Sequence, residues 1–293
     1  MSEISASLVK ELRSITNAGM MECKKALVEA NGDIQLAIDN MRKSGQAKAA
    51  KRAGKTAAEG VIAIASNADK TAACMIEVNC ETDFVARDGS FKTFANGLAQ
   101  AGLSFSANEV TALMSQKTSD ESTFEAAREA LVLKIGENIQ ARRVATVSST
   151  GCAVHYLHGD RIGVVVSLDK NNPELAKDIA MHVAATNPMA IDASALSADV
   201  LEKERSIITA QAATSGKPAN IVEKMVDGRL QKFVQEVCLI HQPFVKNPDQ
   251  TIQQLLQSAG AKVLSFVRFE VAEGIEKTVT DFAAEVNATI REA

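Results

Sequence analysis

Hydrophobic residues recur at steps of three and four near the start of the chain, in segments 4–15, 20–30 and 34–41. This spacing places them on one face of a helix, so each segment predicts a short amphipathic helix. Residues 17–19 and 31–32, which both contain glycine, interrupt the pattern. We therefore predict an N-terminal module of three helices, which is marginal in size alone and adequate as an appendage to a larger core.

A basic segment follows the third predicted helix. Asp33 is suited to cap that helix and Gly45 to end it. Residues 42–55 hold six lysines and arginines and no acidic residue. We interpret this segment as a basic linker, either a solvated tether or a contact for acidic protein or RNA. The three helices and the linker form the predicted domain at residues 1–55.

The pattern changes from helical spacing to alternation at residue 60. Hydrophobic residues alternate in two segments on either side of residues 66–69, which is typical of a β-hairpin. A helical pattern through Phe91 and Phe94 follows the hairpin. The same order, a hairpin and then a helix, recurs over residues 152–185.

This repetition predicts an α+β fold whose core consists of two related halves, each an antiparallel sheet backed by helices, at residues 56–148 and 149–272. Within the second half, the purely helical pattern of residues 198–236 is broken by residues 215–218. These two segments predict a projecting helical hairpin. A last amphipathic pattern predicts a C-terminal helical module at residues 273–293.

Composition narrows the classes of function. Lys and Arg number 32 against 36 Asp and Glu, a balance that does not favour a general nucleic-acid binder. Five scattered cysteines without metal-ligand spacing favour reduced thiols in the cytoplasm and no structural metal. The chain contains no glycine-rich phosphate loop, so we expect no cofactor and no direct nucleotide binding. No stretch reaches the roughly 18 apolar residues of a membrane span, so we expect no membrane association.

Two pairs of residues are the best candidates for catalysis. Cys80 is a possible nucleophile with His182 as its base, and Glu81 with Asp83 is a possible pair of carboxylates. However, Cys80 keeps the phase of the hydrophobic residues of its strand, and His182 continues an apolar helical stripe. Both residues are therefore predicted to lie in the core. We predict a binding protein rather than an enzyme.

Three blocks of sequence resemble the elongation factor Ts family. Residues 16–27 read TNAGMMECKKAL, residues 78–85 read VNCETDFV, and residues 266–271 with 274–277 read FVRFEV and GIEK. The blocks occur in the family's order and extend from the first predicted helix to the last. Departures are small: Asn17 stands where glycine is commoner in the family.

The resemblance implies a guanine-nucleotide exchange factor for elongation factor Tu. Such a factor binds the GDP-bound partner, releases the nucleotide and stays on the nucleotide-free partner until GTP binds. The resemblance also implies a ubiquitin-associated-like fold for the N-terminal module, which docks on the nucleotide domain of the partner. It assigns Thr82, Asp83, Phe84 and Val85 to the displacement of Mg²⁺, with Phe84 as a wedge between partner helices.

The local pattern leaves several of these roles open. Thr82 or Asp83 is suited to cap a helix, and Phe84 either covers its own core or contacts the partner. Asp83 either accepts a hydrogen bond from the partner or stabilises its own helix start. His155 and His158 either contact the partner or are solvated in a turn. The predicted helical hairpin is a candidate for the association of two complexes.

Overall fold

The computed structural model describes residues 4–16, 18–213 and 218–276. The chain divides into two compact units. The first comprises the described parts of Met1–Ala63, Ile76–Val144 and Glu270–Ala293, and the second comprises those of Ile64–Met75 and Ala145–Phe269. Apart from its first four residues, the predicted C-terminal module at 273–293 lies outside the described residues, as does Asn17.

The N-terminal module contains the three predicted helices, α1 (Ala6–Thr16), α2 (Met20–Glu29) and α3 (Ile34–Arg52). Their shared core includes fully buried Leu12 and Leu27. The carboxylate of Asp33 accepts a hydrogen bond of 3.0 Å from the backbone N–H of Leu36, so Asp33 caps α3 as predicted. The helical spacing of the first segments therefore gave the correct local structure.

The predicted end of α3 at Gly45 is wrong, because the helix continues to Arg52. Gly45 is buried, and a Cβ atom at this position would lie 3.5 Å from the carbonyl oxygen of Glu129 in α7 (Phe124–Ile135). Since 3.5 Å is an ordinary van der Waals distance, α3 packs directly against α7 at this position, and the contact favours the helix through position 45. Residues 42–52 of the predicted basic linker are consequently helical.

The first sheet has the strand order β1-β2-β3, with β1 at Glu59–Ser66, β2 at Ala72–Cys80 and β3 at Gln140–Ser148. The predicted hairpin corresponds to β1 and β2. Four helices lie between β2 and β3 in the sequence: α4 (Asp83–Arg87), α5 (Gly89–Phe105), α6 (Val110–Met114) and α7. The helix through Phe91 and Phe94 was predicted, whereas α6, α7 and β3 were not.

The second sheet repeats the order of hairpin and helix, as predicted. Strands β4 (Cys152–His158) and β5 (Ile162–Leu168) are antiparallel, with Cys152 paired with Leu168 and His158 with Ile162. Helix α8 (Pro173–Thr186) follows and buries Ile179 in the same hydrophobic core as β5. The strand order β4-β5-β8 is completed by β8 (Val263–Glu270).

The predicted helical hairpin consists of α9 (Ala198–Ala213) and α10 (Ala219–Val237). Ile208, Ala212 and Val226 form its small buried core. Beyond it, β6 (Pro243–Phe244) pairs with β7 (Asn247–Thr251), and α11 (Ile252–Ser258) leads to β8. The two helices bury a narrow stripe and leave their other faces in water, as an amphipathic pair does.

A buried carboxylate organises the first unit. Glu77 on β2 has no exposed surface, and Arg142 and Arg143 of β3 contact it at 3.1 and 2.5 Å. The backbone N–H of Ala272 donates a further hydrogen bond of 2.8 Å to Glu77. The same arginines also bind Glu273: Arg142 donates to its carbonyl oxygen and Arg143 donates to its carboxylate. The segment that follows β8 is thereby fixed to β2 and β3.

These contacts set the pKa of Glu77. Burial alone raises it, but hydrogen bonds from Ala272, Arg143 and Asn79, with the charge of Arg143, outweigh burial and hold the pKa below its ordinary value of 4.5. A carboxyl group whose pKa is depressed in the folded state stabilises that state above its unfolded pKa. This stabilisation is lost as the pH falls through the folded pKa.

We therefore expect Glu77→Gln to lower the free energy of unfolding by about 3 kcal/mol at neutral pH, because two arginines lose their buried counter-charge. Urea unfolding at a series of pH values measures this loss. The difference between wild type and variant should shrink as the pH falls below about 4. A difference that stays constant across that range would contradict the ionised state of Glu77.

Candidate functional site

The candidate site lies where β2 passes into α4. Thr82 is the N-cap of α4, in extended backbone with φ −123° and ψ 156°, and its hydroxyl accepts a hydrogen bond of 3.4 Å from the N–H of Val85. Thr82, rather than Asp83, therefore caps the helix. We call residues 82–85, which the sequence analysis assigned to partner binding, the tip.

Phe84 projects from the tip into solvent. Its side chain is 79% exposed, more than any other large hydrophobic side chain in the described part of the chain. Val85 is buried, so α4 places these two neighbours on opposite sides. The alternative in which Phe84 covers its own core is wrong. An aromatic side chain with this exposure is accessible to a partner, which is the role that the resemblance implies.

The tip is held by a carboxylate from a distant part of the sequence. Glu137 follows Gly136, the C-cap of α7, and one of its oxygens accepts hydrogen bonds from the N–H groups of Glu81 (3.1 Å) and Thr82 (3.0 Å). Its other oxygen accepts from the hydroxyl of Thr82 at 2.6 Å. Hydrogen bonds to a charged acceptor are short and strong, so Glu137 fixes the start of α4.

Glu81 makes the reciprocal contact. Its carboxylate accepts a hydrogen bond of 2.6 Å from the N–H of Asn138, and Arg52 at the end of α3 lies 3.3 Å from it. The side chain of Asn138 donates to the carbonyl oxygen of Lys55 at 2.7 Å. We call the carboxylates of Glu81 and Glu137, with the N–H groups that they bind, the carboxylate clamp. Sequence reasoning did not identify Glu137 or Asn138, because both act through contacts distant in sequence.

Asp83 has a local partner. Its carboxylate lies 2.9 Å from Arg87 Nη2, one helical turn further along α4, and both side chains are largely exposed. Such surface pairs contribute little to stability. Asp83 therefore makes no capping bond, and Glu81 and Asp83 bind different basic residues rather than forming a catalytic pair.

Cys80 and His182 occupy the core positions that the pattern predicted. Burial raises the pKa of Cys80 to about 12, helped by the negative charges of Glu137 and Glu59. His182 is fully buried, and burial lowers its pKa. Its Nδ1 accepts from the N–H of Val245 at 3.3 Å, so Nε2 carries the proton that bonds Gln242 at 2.9 Å. Both nitrogens of this neutral histidine are satisfied within the second unit.

His155 and His158 differ from each other in their surroundings. His155 is half-buried in β4, where its Nδ1 lies 2.7 Å from the hydroxyl of Ser66, so it is not a solvated turn residue. His158 is exposed at the end of β4, and its Nδ1 lies 3.1 Å from the Tyr156 hydroxyl.

Among the described residues, no group of acidic, histidine and cysteine side chains is arranged to hold a metal ion. In the same part of the chain, no helix is both long and apolar enough to cross a membrane.

A second exposed surface lies on the N-terminal module. Met20 and Met21 at the start of α2 are 59% and 75% exposed. Together with Val9, Lys10 and Lys24, among other residues, they line a groove. Flexible, polarizable methionine side chains beside basic residues are suited to protein contacts.

The raised pKa of Cys80 predicts low reactivity. Because the thiolate is the reactive form, Cys80 should not react with iodoacetamide at neutral pH on the timescale of an exposed thiol. Peptide mass spectrometry after timed alkylation measures this. An exposed cysteine introduced by Ser104→Cys is the positive control, and unfolded protein should react at all five natural cysteines. Rapid alkylation of native Cys80 would support a thiol enzyme instead.

Comparison with known proteins gives a consistent result along the whole chain. The family model described as "Elongation factor TS" matches residues 81–273. The elongation factor Ts of Alcanivorax borkumensis is 57% identical over 284 residues, which cover 97% of this chain and 100% of that protein. Those of Thioalkalivibrio sulfidiphilus and Legionella pneumophila (strain Paris) are 54% and 53% identical, each over 99% of this chain and at least 99% of the relative. The chain therefore belongs to the elongation factor Ts family.

Proposed function

We propose that this chain is a guanine-nucleotide exchange factor for elongation factor Tu in the elongation phase of cytoplasmic protein synthesis. It binds the GDP-bound partner, releases GDP by disturbing Mg²⁺ and phosphate binding, and stays bound until GTP enters. It catalyses no covalent step and binds no nucleotide itself. Family membership supports the general role, and the residues named below support the mechanism.

The observation that carries the mechanism is the exposure of Phe84 on a fixed support. The side chain is 79% exposed, while the backbone that bears it is held by the carboxylate clamp. An aromatic side chain on a mobile loop loses conformational freedom when it binds. A tip that is already fixed avoids much of that loss, and more of its burial energy then acts on the partner.

A displacement of partner helices is sufficient for release, since GDP is held largely by charge-assisted bonds to its phosphates and by Mg²⁺ that bridges oxygen atoms. These bonds depend on distance and angle, so a small shift of the metal or of the phosphate-binding loop removes several of them. In this mechanism Phe84, with Thr82, Asp83 and Val85, acts on the protein around the nucleotide. Contact with GDP itself is not required.

Thermodynamic linkage requires a larger contact than one aromatic ring. The factor by which this protein weakens GDP binding is also the factor by which GDP weakens the binding of this protein. Burial of one phenylalanine contributes about 1.5–3 kcal/mol, which is less than efficient exchange needs. We assign the remaining affinity to separate surfaces, above all the Met20–Met21 groove, docked on the nucleotide domain of the partner.

The helical hairpin is the candidate for the association of two such complexes. Ile207 on α9 and Ile221 on α10 are each 43% exposed. Their side chains lie outside the stripe that joins the two helices, which contains Ile208 and Val226. Exposed aliphatic residues on this pair of helices favour helix-to-helix contacts with another chain.

Release of fluorescent GDP from purified elongation factor Tu, in excess unlabelled GDP, tests the tip. Phe84→Ala should lower the release rate at saturating exchange factor by about tenfold, because most of the wedge is removed. The concentration that gives half of the maximal rate should change little. Phe105→Ala is the matched control, since Phe105 is also exposed (57%) but lies at the end of α5. Equal rates for the two variants would reject Phe84 as the wedge.

The same assay tests the groove separately. Met21→Glu places a charge in the proposed docking surface and should raise the half-saturating concentration by about tenfold, with little change in the maximal release rate. Met189→Glu is the control, because Met189 is 56% exposed outside the N-terminal module. A lower maximal rate at unchanged half-saturation would place Met21 in the release step rather than in docking.

A further inference from the structure

We propose that Glu137 is the positioning residue for Phe84: its carboxylate sets the orientation of the tip, and the rate of nucleotide release depends on it. The inference rests on the proposed function. It concerns a residue that lies 53 positions after Phe84 in the sequence and that forms the central part of the carboxylate clamp.

The tip cannot hold its own conformation. Helix α4 has five residues, and a helix this short is unstable in water because nucleation is unfavourable. The side chain of Phe84 contributes no burial that would fix it, since it is largely exposed. The orientation of Phe84 therefore depends on contacts made by its neighbours.

Glu137 supplies these contacts at the start of the helix. It accepts hydrogen bonds from the N–H groups of Glu81 and Thr82 and from the hydroxyl of Thr82. The Thr82 hydroxyl donates to Glu137 and accepts from Val85, so Glu137 also fixes the oxygen that caps α4. One carboxylate thus controls both the backbone before the helix and its cap.

The backbone of Gly136 places Glu137 where this is possible. Gly136 ends α7 with φ +85°, a conformation that favours glycine, and the chain turns there towards β3. Asn138 then donates its N–H to the carboxylate of Glu81. Segments 81–82 and 137–138 each supply a carboxylate and at least one N–H group, so the tip cannot rotate without breaking charge-assisted bonds on both sides.

Replacement of Glu137 by glutamine alters this arrangement with almost no change in size. The carboxylate has two acceptor oxygens, whereas the amide has one acceptor and one donor group. If the NH₂ group faces the N–H groups of Glu81 and Thr82, donors oppose donors. If it faces the Thr82 hydroxyl, that hydroxyl must accept instead of donate, and in both orientations the charge of the acceptor is lost. Glu137→Gln should therefore loosen the tip while Phe84 itself remains present.

The first measurement is GDP release from elongation factor Tu with full-length Glu137→Gln. We expect the saturated release rate to fall by about fivefold, with the half-saturating concentration changed by less than about twofold, since the docking surfaces are intact. Glu109→Gln is the matched control, because Glu109 is exposed and its side chain makes no capping bond to α6. A saturated rate equal to that of the control would overturn the proposal.

A double-mutant cycle separates positioning from general destabilisation. If Glu137 acts through Phe84, Glu137→Gln should have almost no further effect on the release rate in the Phe84→Ala background. Equal fold-changes in both backgrounds would show that Glu137 acts elsewhere and would reject the inference. If Phe84→Ala itself behaves like Phe105→Ala, the wedge in the proposed function fails first, and the assigned role of Glu137 fails with it.

Hydrogen exchange provides a readout that does not depend on the partner. In the isolated protein, the amides of Glu81 and Thr82 should lose protection in Glu137→Gln, while the amides of β2 keep theirs. Thr82→Ala removes the hydroxyl that Glu137 binds and should reproduce both the lower release rate and the loss of amide protection at Glu81. This variant tests the same bond if the Glu137 variant does not fold. Normal release by Thr82→Ala, or unchanged protection in Glu137→Gln, would contradict the proposal.

Discussion

The exposed aromatic side chain of the tip depends on the carboxylate clamp. A phenylalanine side chain in water lowers its free energy when it folds back onto any apolar surface within reach. Phe84 avoids this because Glu137 and Glu81 fix the backbone on its N-terminal side, through bonds of 2.6–3.1 Å to N–H and hydroxyl groups. The hydrogen bonds of the clamp thus keep the side chain of Phe84 exposed in the isolated protein.

The first unit repeats this use of charge in its interior. Glu77 is fully buried and Glu137 half-buried, and each binds backbone N–H groups from segments distant in sequence. Glu77 fixes the segment after β8, and Glu137 fixes the segment after β2. A carboxylate is well suited to this task, because its two oxygens accept several hydrogen bonds. The backbone N–H groups can donate all of these bonds only when the backbone is correctly placed. Buried charges of this kind favour one arrangement of the chain over close alternatives.

The spacing of hydrophobic residues predicted those elements that depend on interactions close in sequence. The helices of the N-terminal module, both hairpins and the helical pair α9 and α10 follow from hydrophobic spacing and from turn residues. The end of α3 did not follow from the spacing, because Gly45 packs against α7, which is distant in sequence. Phe84 could be selected through its family block but not through its spacing, since a phenylalanine beside a buried valine is compatible with a core position. The bond from Glu137 to Thr82 spans 55 positions, and no periodicity indicates it.

The separation of surfaces has a thermodynamic reason. In a factor that bound its partner only through the tip, any change in the tip would alter both the affinity and the release rate. In the proposed mechanism, any part of the docking affinity that is equal for the GDP-bound and the nucleotide-free partner shifts no equilibrium between them. Only contacts that differ between the two states weaken GDP binding. In the proposed mechanism the tip contributes to that difference through one side chain, so a fixed support for Phe84 preserves more of its limited burial energy than a mobile loop would.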